Sequence, residues 1–388
     1  MSGEAIRYDA ADIQVLEPRE AVRKRPGMYV GSTGEHGLHH VVFDVVDRAV
    51  NEVLTDRAGC VDITLTPDGG VRVADDGPAL SIEDGEDTGG PNLEALLTRM
   101  HCGPGPSGRY DVMPLYGGIG LFVANVLSSR MTAEVWREGV HWGWEYARGV
   151  PITALTDAEP STGSGTTIAF RPDPEIFGTA ECSFDTLADR FRELAFLNRD
   201  LEISLTDLRR PAESRSVRFR SSDGTREFVA FLDAQEAAPA YPDIIGFEQE
   251  DPRMAGTMEV AFRWCGSGEE RIRSFANSRP TSCGGTHANG LRDGLAAAVN
   301  AYARARRLLT ATDPDLGADR IGEGLTAVVS VKLDHPEFEG STRGVLGNAE
   351  VRACVAQAVR EHLARWLEQH PEQAAALIDR ILQDADQN

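Results

Sequence analysis

Residues 44–54 read DVVDRAVNEVL, and the run extends back through GLHHVVF. Leu38, Val41, Val42, Val45, Val46, Ala49, Val50 and Val53 recur at the spacing of one helical face. That face demands a partner to bury against. The opposite face carries Asp44, Arg48, Asn51 and Glu52, three or four residues apart and so in one stripe. The stripe reads in two ways. Asp44, Arg48 and Glu52 form a ladder of alternating sign, worth about 0.2–0.5 kcal/mol per pair, which suits a helix surface facing water. Alternatively the stripe is the polar wall of a ligand site.

Bulk properties narrow the choice. The chain has 388 residues, 41% of them hydrophobic, enough for two or three domains with proper cores. No apolar run reaches the ~18 residues of a membrane span. The start, MSGEAIRYDAADIQ, has neither a basic nor an apolar targeting segment, so a cytoplasmic protein is expected. Cysteines stand at 60, 102, 182, 265, 283 and 354 without a C-x-x-C pair. Neither a zinc site nor a disulfide framework is expected, and no metal site is assigned. Asp and Glu number 61 against 39 Lys and Arg, a net charge of −22. Nucleic-acid affinity rests on cations that neutralise phosphates, so direct DNA binding is not expected. Lysine occurs only at 24 and 332. Sites that ordinarily use a lysine point charge must use arginine, which is not its equivalent.

Along the chain, VDITLT (61–66), PDGG and VRVAD (71–75) predict a hairpin. A Gly/Pro-rich stretch from about 85 to 120 suggests a lid or binding loop. FVANVLSSR predicts a helix; MTAEVWREGVHWGWEYARG predicts two strands joined by REG. GTTIAF (165–170) and LEISLTD (201–207) predict strands, and FDTLADRFRELAFL (184–197) an amphipathic helix between them. Polar, Arg- and Ser-rich sequence near 208–224 suggests a domain boundary. Beyond it EVAFRWC, RIRSFANS and LTAVVSVKL predict strands, while HANGLRDGLAAAVNAYARARRLL and NAEVRACVAQAVREHLARWLEQH predict helices. Strands and helices mix without strict alternation, so both halves are read as α+β sandwiches.

Four elements bear on the stripe. The strand VRVAD ends in Asp75-Asp76-Gly77, LYGGIG supplies Gly117, Gly118 and Gly120, GSGTTIAF supplies Thr166, and the helix supplies the stripe itself. Glycines before a helix expose backbone N–H groups to a phosphate. A carboxylate at a strand end accepts from an exocyclic amine of a base, and a neighbouring threonine hydroxyl completes such a pocket. Each element alone is weak. In this order, with IQVLEPREAVRKRPGMYVGST, GLHHVVFDVVDRAVNEVL, VWREG, FANSRPTSCGGTH and VVSVKLDHPEFEGSTRGVL, they resemble the ATPase region of the DNA gyrase B subunit and its topoisomerase IV counterpart. The resemblance covers nearly the whole chain.

It implies a Bergerat-type (GHKL) ATP-binding α/β sandwich over 17–220, shared with heat-shock protein 90, mismatch-repair and histidine-kinase ATPases. A ribosomal-protein-S5-like transducer domain is expected over 221–388, and a dimerisation arm over 1–16. By resemblance, Asp75 is the adenine-binding carboxylate, with Gly77 and Leu80 in the segment after it and Thr166 beside the base. Gly117, Gly118 and Gly120 fall in the lid, Asn125 in the helix after it. Tyr8 matches the arm tyrosine that reaches a partner's nucleotide, and Tyr29 and Arg137 also match. Asn51 and Glu52 line the same wall. ATP is the implied cofactor and a homodimer the implied assembly, with a gyrase-type partner.

The phosphate end departs from the pattern. The family's general-base glutamate is Asp44, one methylene shorter, and base catalysis depends on hydrogen-bond reach. The family's magnesium-binding asparagine is Arg48, a group with donors only, whereas Mg²⁺ requires oxygen ligands. The lysine expected at the γ-phosphate is Arg343, and Pro114-Leu115-Tyr116 replaces early lid glycines. The family continues into a metal-binding TOPRIM domain, and the sequence here ends after PEQAAALIDRILQDADQN. Strand passage by this polypeptide alone is therefore not expected. Three functions compete: an ATP-binding protein with a degenerate magnesium and catalytic site, as a regulator or decoy of gyrase; a repurposed pocket for a non-nucleotide small molecule, as in specialised metabolism; and an active ATPase subunit of a type II topoisomerase assembly.

Overall fold

The computed structural model describes residues 16–55, 59–79, 93–100, 108–114, 120–153, 159–160, 162–234, 243–265, 268–310, 312–340 and 343–383. The first domain opens with α1 (Pro18–Lys24), α2 (Gly27–Val30) and the long α3 (Glu35–Thr55). The hairpin β1 (Gly59–Leu65) and β2 (Val71–Asp75) follows, then α4 (Leu93–Thr98) and α5 (Gly120–Val126). Next come β3 (Ser128–Arg137), β4 (Val140–Ala147), β5 (Val150–Thr153), β6 (Glu159–Pro160) and β7 (Gly165–Pro172). The domain closes with α6 (Pro174–Phe177), α7 (Phe184–Leu197), β8 (Leu201–Asp207) and β9 (Arg215–Phe219).

These strands form one sheet in the order β5-β4-β3-β7-β2-β1-β8-β9, with β6 on β4. Among the described residues of this sheet, only β1 and β8 run parallel. In β1 and β2 every second side chain is buried: Val61, Ile63, Leu65, then Val71, Val73 and Asp75. The strand period thus puts Asp75 in phase with the apolar face that α3 covers. Val41, Val45, Val46, Ala49 and Val50 of α3 join that core, as do Leu187, Phe191 and Leu194 of α7. Ser183 caps α7, its hydroxyl accepting from the Thr186 N–H at 3.3 Å.

In the second domain α8 (Thr225–Ala234), β10 (Ile245–Asp251), β11 (Gly256–Trp264), β12 (Arg271–Ala276) and β13 (Arg279–Pro280) lead to α9 (Thr286–Ala305). Then follow α10 (Ala318–Ile321), β14 (Leu325–Leu333), β15 (Phe338–Glu339), β16 (Val345–Leu346), α11 (Ala349–Gln369) and α12 (Pro371–Gln383). The main sheet has the order β10-β11-β14-β12-β13, with β14 parallel to β12. β14 is covered on both faces, which explains its unbroken apolar run. Val328 packs with Phe228 and Val229 of α8, whereas Val329 and Val331 pack with Leu291 of α9 and Val355 of α11.

Three expectations change. FVANVLSSR is not one helix: α5 stops at Val126 and Ser128 begins β3, with the Ser128 hydroxyl donating back to the Ala124 carbonyl at 2.6 Å. The polar stretch near 208–224 is not all connection, because Arg215–Phe219 pairs along β8 as the sheet's edge strand. The stripe on α3 is not a water-facing surface, since Asp44 is 8% exposed and the Arg48 and Glu52 side chains 16% and 17%.

The two domains are joined through residues 108–114. Arg109 donates Nε and Nη2 to the two oxygens of Asp334 at 3.0 and 2.9 Å, and Nη1 to Glu250 at 2.6 Å. The Met113 N–H donates to the Asn277 carbonyl at 2.9 Å, and the Arg279 guanidinium to the Pro114 carbonyl. Behind this junction lies a cavity of about 230 Å³, bounded by Leu54, Tyr110, Leu197, Met258 and Lys332. Lys332 donates to Asn198 Oδ1 at 3.0 Å, and burial pushes its ammonium down to about 8.

Candidate functional site

The site is assembled where β2 and β7 pair beside α3. Asp75 stands opposite Thr166, and Thr166 opposite Val135 of β3, so three strands meet at one end of the sheet. Gly165 allows the approach. A Cβ there would lie 2.1 Å from the Asp75 carbonyl oxygen, and its φ of +137° excludes other residues independently. Asp75 Oδ1 accepts the N–H groups of Gly77 and Thr166, both at 3.3 Å. Its Oδ2 accepts Arg48 Nη1, also at 3.3 Å. Burial raises the Asp75 carboxyl above its ordinary value, and Arg48 and the two N–H donors oppose that shift.

Arg48 reaches across from α3 to Asp75, and its Nη2 lies 3.7 Å from Glu52. The expected pairing with Glu52 is present, and the second partner is the strand carboxylate rather than Asp44. Glu52 backs onto the turn after β2: a Cβ on Gly77 would sit 3.1 Å from the Glu52 carbonyl carbon. Asp44 Oδ2 accepts the Gly120 N–H at 3.1 Å, holding the start of α5 against α3. Asn51 is bound to main chain, its amide donating to the Val112 carbonyl at 3.2 Å and its Oδ1 accepting the Val112 N–H at 2.7 Å. Asn125, fully buried, donates to the Leu97 carbonyl at 3.1 Å and ties α5 to α4.

Arg137 ends β3 at the same end of the sheet, its Nε 3.2 Å from the neighbouring Glu138. The exposed Arg343 lies in the second domain, where its carbonyl accepts Arg279 Nε at 3.3 Å. Arg279 therefore links the Arg343 loop to Pro114. Tyr8, Leu80, Gly117 and Gly118, with Leu115, Ser341 and Thr342, lie outside the described residues.

The sequence reading missed a buried cluster behind the stripe. Asp47, 2% exposed, lies 3.6 Å from Arg190 of α7, which donates to the Ser278 carbonyl at 3.1 Å. Burial pushes the Asp47 carboxyl up to about 6, against Arg190 and Arg279. The signal was present, because Asp47 follows Asp44 by three residues on the same helix.

Arg48 supplies N–H donors only and so cannot itself ligate Mg²⁺. Among the described residues no group of three or more His, Cys, Asp or Glu could hold a metal ion. No described helix is long and apolar enough to cross a membrane.

Residues 33–176 match the family described as histidine kinase-, DNA gyrase B- and HSP90-like ATPase, and residues 224–388 match DNA gyrase B. The chain is 43% identical to the DNA gyrase B subunit of Streptomyces coelicolor over 97% of its own length and 57% of the relative's. It spans less than two thirds of that relative. It resembles the crystal structure of the 43K ATPase domain of Thermus thermophilus gyrase B in complex with an aminocoumarin. There the TM-score is 0.78 at 32% identity, with 95% of this chain and 94% of the other covered. The ATP-binding domain of Francisella tularensis topoisomerase IV, solved with a small-molecule inhibitor, gives a TM-score of 0.76 at 28% identity, covering 95% and 97%.

Proposed function

This chain belongs to the DNA gyrase B family, and on that premise we propose that it is a nucleotide-binding ATPase–transducer module with an altered catalytic end. The observation that carries this reading is the position of Arg48. It stands where the family places a metal ligand, cannot ligate an ion, and is drawn to Asp75 instead. Asp44 keeps a carboxylate at the base position, but one oxygen is engaged by the Gly120 N–H. A general base must reach the attacking water, and this shorter side chain is held against the start of α5. The module therefore binds nucleotide independently of magnesium and hydrolyses it slowly or not at all. It acts as a homodimer through the residues around Tyr8. Its role is that of a regulator or decoy of gyrase, with a gyrase-type partner and without direct DNA contact, in keeping with the −22 charge.

A second reading, as the ATPase part of a working topoisomerase subunit, is favoured by the relatives themselves, which are gyrase B subunits of which this chain spans a little over half. Titration with ATP in EDTA and in magnesium separates the two. Binding that is unchanged by EDTA, without turnover, supports the altered site. Magnesium-dependent turnover favours the working subunit and overturns the first reading. If no nucleotide binds, the cleft serves a different small molecule.

A further inference from the structure

The floor of the cleft is richer in donors than a base with an amino edge can use. Asp75 is the acceptor at this point, yet its side chain is 1% exposed and already takes three N–H groups. Four lone-pair sites less three leaves one. Arg48 stands directly against this carboxylate, its side chain 16% exposed and its Nη1 already engaged with Asp75 Oδ2. Its Nε and Nη2 are buried without a hydrogen-bond partner, and so is Thr166 Oγ1 beside Asp75. Buried donors in a native site are ordinarily satisfied, and each exception marks a group awaiting an acceptor.

We propose that Arg48 is a specificity-determining residue that makes the cleft prefer a purine bearing a 6-carbonyl, of the inosine or guanosine kind, over one bearing a 6-amino group. This rests on the nucleotide reading above and names the base that reading leaves open. A carbonyl oxygen at the ring's 6 position accepts from the guanidinium. The adjacent ring N–H of such a base has the remaining lone pair of Asp75 as its acceptor. An amino group at the same position directs donors at donors, beside a fixed positive charge. Arginine's planar array of donors suits a ring edge in a way that lysine's ammonium does not.

The test is calorimetric titration of the full chain, in EDTA, with inosine triphosphate and ATP, which differ in the 6 substituent and the ring nitrogen beside it. Inosine triphosphate should bind about tenfold more tightly, the value of roughly one net hydrogen bond. Arg48→Asn should remove or reverse the preference, and Arg48→Lys, which keeps the charge, should weaken it without reversing it. The melting curve of each variant establishes that it is folded. ATP binding as tightly as inosine triphosphate, or more so, overturns the assignment of Arg48 while the nucleotide reading stands. Binding of neither nucleotide overturns both.

Discussion

Asn51→Ala tests whether the polar stripe holds residues 108–114 or only faces a ligand. Asn51 makes two hydrogen bonds with one residue, the N–H and the carbonyl of Val112. Val112's own side chain is fully buried, so water does not readily replace the lost partner. Each bond is worth about 1 kcal/mol net, so deleting both costs roughly 2 kcal/mol, with more if the Val112 N–H stays buried and unpaired. The segment does not come free, because Arg109 and Met113 still hold it to the second domain. The loss should therefore appear first as local opening. A cost of about 2 kcal/mol corresponds to about 30-fold faster exchange at the Val112 amide. Hydrogen–deuterium exchange on a peptide covering 108–114, read beside urea denaturation, measures both quantities. Asn51→Asp should fall between, since it keeps the acceptor for the Val112 N–H and loses the donor to the carbonyl. Exchange within a factor of about two of the parent, with denaturation unchanged, would refute the clasp and return Asn51 to a role at the ligand alone.

Gly165→Ala should be far more damaging than Gly77→Ala. The first collides with backbone at 2.1 Å at a positive φ, while the second meets Glu52 no closer than 3.0 Å and should cost about 1–3 kcal/mol; equal melting temperatures would contradict this. Lys332 binds its proton less tightly in the folded state than the ordinary value of 10.5. Its contribution to stability is thus greatest above that value and is lost as pH falls through about 8. With only two lysines in the chain, ¹³C-labelled lysine should show a resonance titrating near 8 that Lys332→Arg removes; no resonance titrating there would remove the argument. Arg109→Ala should cost only about 1 kcal/mol, because Asp334 and Glu250 are partly exposed, yet it should speed exchange at Met113; an unaltered rate there would show that the ion pairs do not hold the junction.

Much of the architecture is written locally. Phe184–Leu197, Leu201–Asp207 and Leu325–Leu333 have the bounds their periodicity implies, because one buried face or one buried strand fixes each pattern. Ile245–Asp251 escaped notice since only its two end residues are buried, which leaves no alternation to read. Arg215–Phe219 was hidden by the arginines of an edge strand. The sequence singled out Asp75, Thr166 and Arg48 as candidates but not their contact. Arg48 and Asp75 are 27 residues apart, and they meet only because β2's phase turns Asp75 towards α3. The commitments of Asn51 to Val112 and of Asp44 to Gly120 were equally illegible, since their partners are backbone groups that carry no side-chain signature.

The stitching of residues 108–114 has a consequence for domain exchange. A chimera that keeps this first domain and takes its second from a relative would join two folds that each have their own core. It would nonetheless loosen residues 108–114 if the partners of that segment were not carried across. Glu250, Asn277, Arg279 and Asp334 come from separate points along the second domain, yet all four hold one short segment of the first. They constitute a single transferable unit: a graft that preserves them moves the anchorage of residues 108–114 with the domain, and a graft that loses all four leaves that segment attached on the α3 side alone.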